Sequence, residues 1–255
     1  MAEDVQALIE AVDVCFVVLM GTIVFFMQAG FAALEIGAAR RQNSAAVLLK
    51  NFSDACYSSL SFYCLGYAIA FSSNPELNNS FFGTGSYVLT SDTDMVKCAH
   101  LFFQTTLAST SAAIVSGAML ERTRHRAYAV WTVVLVSFIY PIVAHWIWNR
   151  TGFLSIGNAS PLLGKPVIDF AGAGVVHLVG GVCAIVGAYM VGPRHGFKSE
   201  NDTNVNAHDD IHKEEGRTEL SENENVPLLN GSNLKGYSIK LTGLGAIVLW
   251  FGFYG

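Results

Sequence analysis

Long stretches without a formal charge govern what this sequence can fold into. Residues 14–34, 98–120, 127–149 and 170–193 contain no Asp, Glu, Lys or Arg, and 45–71 is interrupted only by Lys50 and Asp54. A helix needs about 20 predominantly apolar residues to cross the hydrocarbon core of a bilayer. Five runs of this length predict five transmembrane helices. A sixth run, 241–255, holds about 15 residues, roughly 22 Å of helix, and stops short of a crossing. Charged residues make up 14% of the chain, against about 25% in soluble domains. The expected fold class is all-α, a multipass transmembrane helical bundle. The N-terminus carries Glu3, Asp4 and Glu10 and lacks the basic region of a secretory signal, so the first run reads as a retained signal-anchor helix.

Lys and Arg placement orients such a chain. Twelve of the 15 basic residues fall on one side, among them Arg40, Arg41, Lys50, the 122–126 turn and Arg194. Lys97, Arg150 and Lys165 fall on the other. This split predicts an N-terminus outside and the 195–238 loop in the cytosol. The sequons at Asn78, Asn149 and Asn158 fall near the outer loops, which supports the orientation only weakly. The net charge of −5 resides mostly in solvated segments and carries no argument for a nucleic-acid partner.

Residues 199–233 are rich in Asn, Asp, Glu and Ser, a composition that predicts disorder. The segment reads either as a solvated spacer or as a regulatory element with Thr203, Thr218 or Ser221 as phosphate acceptors. The domain plan is then 1–194, a five-helix membrane repeat; 195–238, a polar cytosolic loop; and 239–255, a truncated sixth transmembrane helix.

Within the fifth run, Asp169-Phe-Ala-Gly-Ala-Gly-Val-Val-His177 puts a carboxylate at the mouth of an apolar helix and an imidazole about two turns deeper. Ionisable groups at membrane depth are costly and default to a functional reading. The small residues between them allow close approach of another backbone. This is the layout of a narrow pathway for a small polar or cationic solute. The alternative for a lone histidine is a satisfied core group. Lys50 and Asp54, spaced i, i+4, read as a helix-face pair, or Asp54 bonds across to another helix. Glu35 reads as a partner of Arg40 and Arg41 or of the 122–126 turn. The five cysteines show no metal spacing and read as small buried thiols packed between helices. His208 and His212 lack further ligands for a metal.

Several segments resemble the ammonium transporters, in the Amt rather than the Rhesus branch. They are His100-Leu-Phe-Phe-Gln104, Val115-Ser-Gly-Ala-Met-Leu-Glu-Arg122, Tyr140-Pro-Ile-Val-Ala-His-Trp-Ile-Trp148, Asp169 to Gly181, and Trp250-Phe-Gly-Phe253. The Asp169-to-His177 stretch is the most specific. The resemblance implies two inverted five-helix repeats plus a final helix, assembled as homotrimers with a pore in each protomer between the repeats. This chain corresponds to the first repeat and the opening of the second, and the helix with the family's second pore histidine is missing from it. The isolated chain is therefore expected to be unstable or inactive without a second repeat.

The resemblance also implies site residues. Trp148, Asp169 and Phe103 would recruit the cation, Leu107 and Phe253 would form the gate, and His177 and Trp250 would line the pore. Trp148 has an interfacial-belt alternative, and Asp169 a helix-capping one. The family places a phenylalanine where Leu107 stands, so one side of the gate is aliphatic here. His100 and His145 read as structural hydrogen-bonding groups, and Trp146 as a belt residue. The expected function is transport of ammonium or ammonia, with methylammonium as an analogue and the lipid bilayer as surroundings. A cytosolic regulator could act at the 195–238 loop. No catalytic nucleophile, phosphate loop or metal cluster is evident, so no enzyme activity and no cofactor are expected. The alternatives are an ammonium-sensing subunit with little conduction, or an incomplete inactive fragment.

Overall fold

A computed structural model of the chain describes residues 1–72, 79–83, 94–194 and 236–255. The sequon residue Asn78, the segment 199–233 with Thr203, Thr218 and Ser221, and the pair His208 and His212 lie outside the described residues. Six long helical runs and two short 3-10 turns, Arg41–Asn43 and Leu162–Gly164, are described, and no strand is present among the described residues. Helix α1 is Ala2–Ala38, with Glu3 and Asp4 in its first turn, where carboxylates complement the helix dipole. Helix α2 covers 44–71, as an α-helix over Ser44–Ser61, a π turn over Phe62–Gly66 and a last turn Tyr67–Phe71. Helix α3 is Met95–Ala118, and the Asp94 side chain caps it by accepting from the Lys97 N–H at 2.7 Å. Helix α4 is His125–Trp148, helix α5 is Ala173–Val191, and helix α6 is Ile239–Gly252 with Ser238 as its cap.

Three of these helices, Glu3–Ala38, His125–Trp148 and Ala173–Val191, are long and apolar enough to cross a membrane. α2 and α3 have the necessary length but carry more polar side chains, which they turn inward. The inner face of α3 is built from small residues, among them Ala108, Ser111, Ala112 and Ser116, all buried. Small side chains bring neighbouring helices close, and in lipid it is packing rather than water exclusion that holds them. Phe62, Leu135, Val136, Tyr140, Val175 and Val176 fill the centre between α2, α3, α4 and α5. The outer surfaces are apolar: Phe16, Phe26, Leu178, Ile185 and Ile247 are all exposed.

Two π turns meet at this centre. Pro141 withdraws one backbone donor from α4, and the helix takes a π turn over Leu135–Ile139 directly before it. Gly66, in the π turn of α2, lies so close that a Cβ there would sit 2.6 Å from the Val136 carbonyl. At the other side of the bundle α1 and α6 meet backbone to backbone. A Cβ on Gly30 would lie 2.8 Å from the Leu249 nitrogen, and one on Gly37 would lie 2.7 Å from the Ser238 carbonyl.

The turns rich in basic residues gather at one end. Arg40 bonds Glu121 through Nε at 3.1 Å, and Arg122 Nη1 bonds the Gly192 carbonyl at 2.6 Å. Tyr237 N–H bonds the Ala39 carbonyl at 2.7 Å. Lys50 of α2 is half-buried and pairs with Glu35 at 2.9 Å, not with Asp54. Glu35, 1% exposed, also accepts from Ser116 at 2.6 Å and Asn51 at 2.7 Å. Glu35 therefore does not pair with Arg40 or Arg41; the Arg40 partner is Glu121. Asp54 bonds across to α4, accepting from Tyr128 at 2.6 Å and Thr132 at 3.0 Å. A buried charge demands a partner, and here each carboxylate finds it on another helix.

Two further expectations are corrected. Cys15, Cys56, Cys64 and Cys98 are exposed rather than buried between helices. They sit on the apolar outer faces, where a thiol substitutes for a small hydrophobe. Asn149 is 7% exposed and its side-chain amide donates to the Ala70 carbonyl at 2.9 Å. It is a packing residue and not an accessible glycosylation acceptor.

Candidate functional site

The fifth helix does not start at Asp169. Residues 169–172 form a turn with Ala171 at φ +54 and Gly172 at φ +77, and the helix begins at Ala173. Left-handed backbone at a non-glycine residue is strained and clusters at functional sites. The Asp169 carboxylate turns forward over the helix start. It accepts from the Gly174 N–H at 2.6 Å and the Val175 N–H at 3.1 Å. Two of the four orphan donors of the first turn are thereby satisfied, and the carboxylate faces the positive end of the helix dipole.

The first turn is a π turn over Ala173–Leu178. The His177 N–H reaches back five residues to the Gly172 carbonyl at 3.0 Å. π turns are rare and recur at functional sites. This one carries the His177 side chain, whose ring nitrogens have no hydrogen-bond partner among the described residues. Its ring packs against Phe253, with centroids 5.7 Å apart.

These residues surround a cavity of about 300 Å³ between α1, α3, α5 and the end of α6. Phe103, Leu107, Trp148, Asp169, His177 and Phe253 all line it. Trp250 does not. α6 lies along α1, and only its last turn reaches the cavity. Trp250 is 64% exposed and packs on Tyr254.

Gln104, Thr110, Met27 and Val24 also line the cavity and were not singled out in the sequence. Thr110 follows Phe103 and Leu107 at i, i+4, i+7, the spacing of one helix face, and this signal could have found it. Met27 and Val24 come from α1, whose sequence pattern gives no sign of where the fifth helix lies. The two other motif histidines are held by the scaffold. His145 is fully buried with ring nitrogens 2.9 Å from the Ala70 carbonyl and 3.0 Å from the Asn79 carbonyl. His100 Nδ1 is 3.1 Å from the Tyr67 hydroxyl. Trp146 donates to the Phe81 carbonyl at 3.0 Å and packs on Phe81 and Phe153.

The cavity offers aromatic faces, one carboxylate at its rim and one unpartnered imidazole. Such a wall can hold a small cation by cation–π attraction, about 0.5–2 kcal/mol per face. The imidazole can donate or accept a hydrogen bond and can carry a proton.

A family model described as the Ammonium Transporter Family matches residues 15–213. The chain belongs to the ammonium transporter family. It is 34% identical over 245 residues to putative ammonium transporter 1 of Caenorhabditis elegans, covering 96% of this chain and 40% of that protein. It is 35% identical over 245 residues to ammonium transporter 3 of Dictyostelium discoideum, covering 95% and 47%. Ammonium transporter Amt2 of Archaeoglobus fulgidus is 34% identical over 247 residues, with 96% and 46% covered. The chain thus spans less than half the length of these relatives. Among solved structures, a sensor Amt protein superposes with a TM-score of 0.70 at 28% identity, over 97% of this chain and 54% of that one. Saccharomyces cerevisiae Mep2 superposes with a TM-score of 0.65 at 22% identity, over 94% and 47%, which shows the shared fold. Membership of the ammonium transporter family and the helical fold implied by the resemblance therefore hold.

Proposed function

We propose that this chain contributes the first repeat of an ammonium transporter, with one pore in each protomer of a homotrimer and the N-terminus outside. Ammonium is recruited at an outer vestibule by Trp148, Phe103 and the electrostatic field of Asp169. It gives its proton to solvent water in the outer vestibule before passing, as ammonia, between Leu107 and Phe253. Ammonia then passes His177, whose imidazole accepts and returns hydrogen bonds along the lumen. Trp250, exposed on α6, would meet a second repeat. Bare ammonium in hydrocarbon loses many kcal/mol of hydration, and neutral ammonia loses far less, which is why deprotonation belongs before the gate. The observation that carries this reading is the convergence of Trp148, Phe103, Leu107, Phe253 and His177 on one cavity. In the full-length transporter, His177→Ala should abolish uptake or change its ion selectivity while the protein still assembles. Uptake and selectivity equal to wild type would refute the reading.

A second reading, an ammonium sensor with little conduction, is favoured by the likeness to the sensor Amt protein. Ammonium-dependent fluorescence changes without measurable uptake or current would select it. The 195–238 loop, placed in the cytosol, would then be the surface that meets a cytosolic regulator.

A further inference from the structure

The turns at the basic end of the bundle enclose a second cavity, of about 540 Å³. Arg40, Lys50, Arg122, Arg124 and His125 line it, with Glu121 as the sole carboxylate among its lining residues. Two of the cations are already matched, Arg40 by Glu121 and Lys50 by Glu35. Arg122 gives one hydrogen bond to the Gly192 carbonyl and leaves its buried Nε without a partner. Arg124 is exposed and has no ion pair among the described residues. The pocket therefore holds positive charge that its own walls do not balance.

The chain carries the complement, fastened at the rim. Gly192, bonded by Arg122, stands just before the polar segment 195–235. On the return, the Tyr237 N–H bonds the carbonyl of Ala39, the neighbour of Arg40. The residues flanking the segment, Gly192 and Tyr237, are thus hydrogen-bonded to residues at or beside the pocket. Between positions 198 and 224 it holds nine carboxylates against three Lys or Arg. The stretch from Gly192 to Glu200 extends at most about 28 Å, enough to bring the first carboxylates back over a cavity of this size.

We propose that the acidic stretch within residues 200–224 docks in this pocket and pairs with Arg122 and Arg124. Single exposed ion pairs are weak. A tether anchored at both ends gives an effective concentration on the order of millimolar, and several weak pairs then hold together. The inference does not depend on which solute the bundle conducts.

The test follows chymotrypsin cleavage after Leu220 in the intact protein, held in phosphatidylcholine nanodiscs. Cleavage should be slow at low salt. It should rise at least about threefold when salt shortens the screening length, and equally in Arg124→Glu at low salt. Arg124 precedes α4, where a carboxylate suits the helix dipole, so this variant folds. An added peptide of residues 200–224 should accelerate cleavage of the wild type, and the same peptide with Gln and Asn for its acids should not. Equal low-salt rates for wild type and Arg124→Glu would overturn the proposal. So would a wild-type rate that rises when phosphatidylglycerol replaces about a fifth of the lipid, because the pocket would then belong to lipid headgroups.

Discussion

The imidazole of His177 and the phenyl ring of Phe253 lie 5.7 Å apart, centroid to centroid, with their planes at 51°. One comes from the π turn that opens α5 and the other from the residue that follows α6. The long polar segment separates them in sequence. Leu107 of α3 lines the same cavity, so the proposed gate and the proposed pore histidine together draw on three helices.

Leu107→Phe should raise the affinity of the outer site for cations. A further aromatic face adds about 0.5–2 kcal/mol of cation–π attraction, or roughly 2- to 30-fold in apparent affinity. Competition by methylammonium against ammonium uptake in the full-length transporter reads this directly. An unchanged competition curve would remove Leu107 from the gate.

Asp169→Ala should destabilise the protein by about 0.5–2 kcal/mol, the ordinary cost of losing a helix cap. Asp169→Asn keeps one acceptor oxygen and should fall between the two. Thermal unfolding in detergent gives the order wild type, Asn, Ala. If all three melt together, the capping bonds to Gly174 and Val175 contribute nothing.

Lys50→Met should be among the most damaging single changes in the bundle. It leaves Glu35 buried and unpaired, at a cost of about 3–5 kcal/mol. Adding Glu35→Gln to it should restore much of the stability, since no isolated charge then remains. A double variant no better than Lys50→Met would show that Ser116 and Asn51 suffice to hold the carboxylate.

Acid should weaken the turn between α3 and α4 through Glu121. Burial pushes the Glu121 carboxyl up, but hydrogen bonds from Asn43 and Arg40, together with the Arg40 charge, outweigh it and hold the group below its ordinary value of 4.5. A carboxyl that is more acidic when folded stabilises the fold in its ionised form. That contribution is complete above 4.5 and is lost as pH falls through the lower, folded value. Glu121→Gln should therefore melt below wild type at neutral pH, and the two curves should converge in acid. A gap that stays constant down to full protonation would separate Glu121 from this linkage.

Much of the bundle was legible in the sequence because lipid imposes a length on any apolar run. The runs 14–34, 98–120 and 127–149 lie inside helices α1, α3 and α4 but for two residues at the end of the second and one at the end of the third. The cavity residues Asp169 and His177 were legible because ionisable groups at an apolar run need a reason, and Trp148 was legible through the resemblance. What stayed hidden is non-local or lies outside the 3.6-residue period. Hydropathy cannot distinguish a π turn from an α turn, so the register of His177 and the turn at 169–172 were missed. Nor can i, i+4 spacing tell whether Lys50 prefers Asp54 on its own helix or Glu35 on another. That choice went to the neighbour that the packing of α1 on α2 supplied. The position of Trp250 away from the cavity stayed hidden for the same reason, since its surroundings are set by how α6 lies on α1.

The backbone-to-backbone meeting of α1 and α6 at Gly30 and Gly37 limits how this bundle can move. With the Leu249 side chain seated on Gly30 and the Thr242 side chain on Gly37, α6 has no room to roll about its own axis. Phe253 lies just past the end of α6, so a displacement that widens the cavity has to carry the first helix along as one plank. The clearance beside His177 is then a tolerance fixed on the far side of the helix pair, by positions that do not line the cavity. Enlarging either glycine would shift the ring without touching the cavity wall.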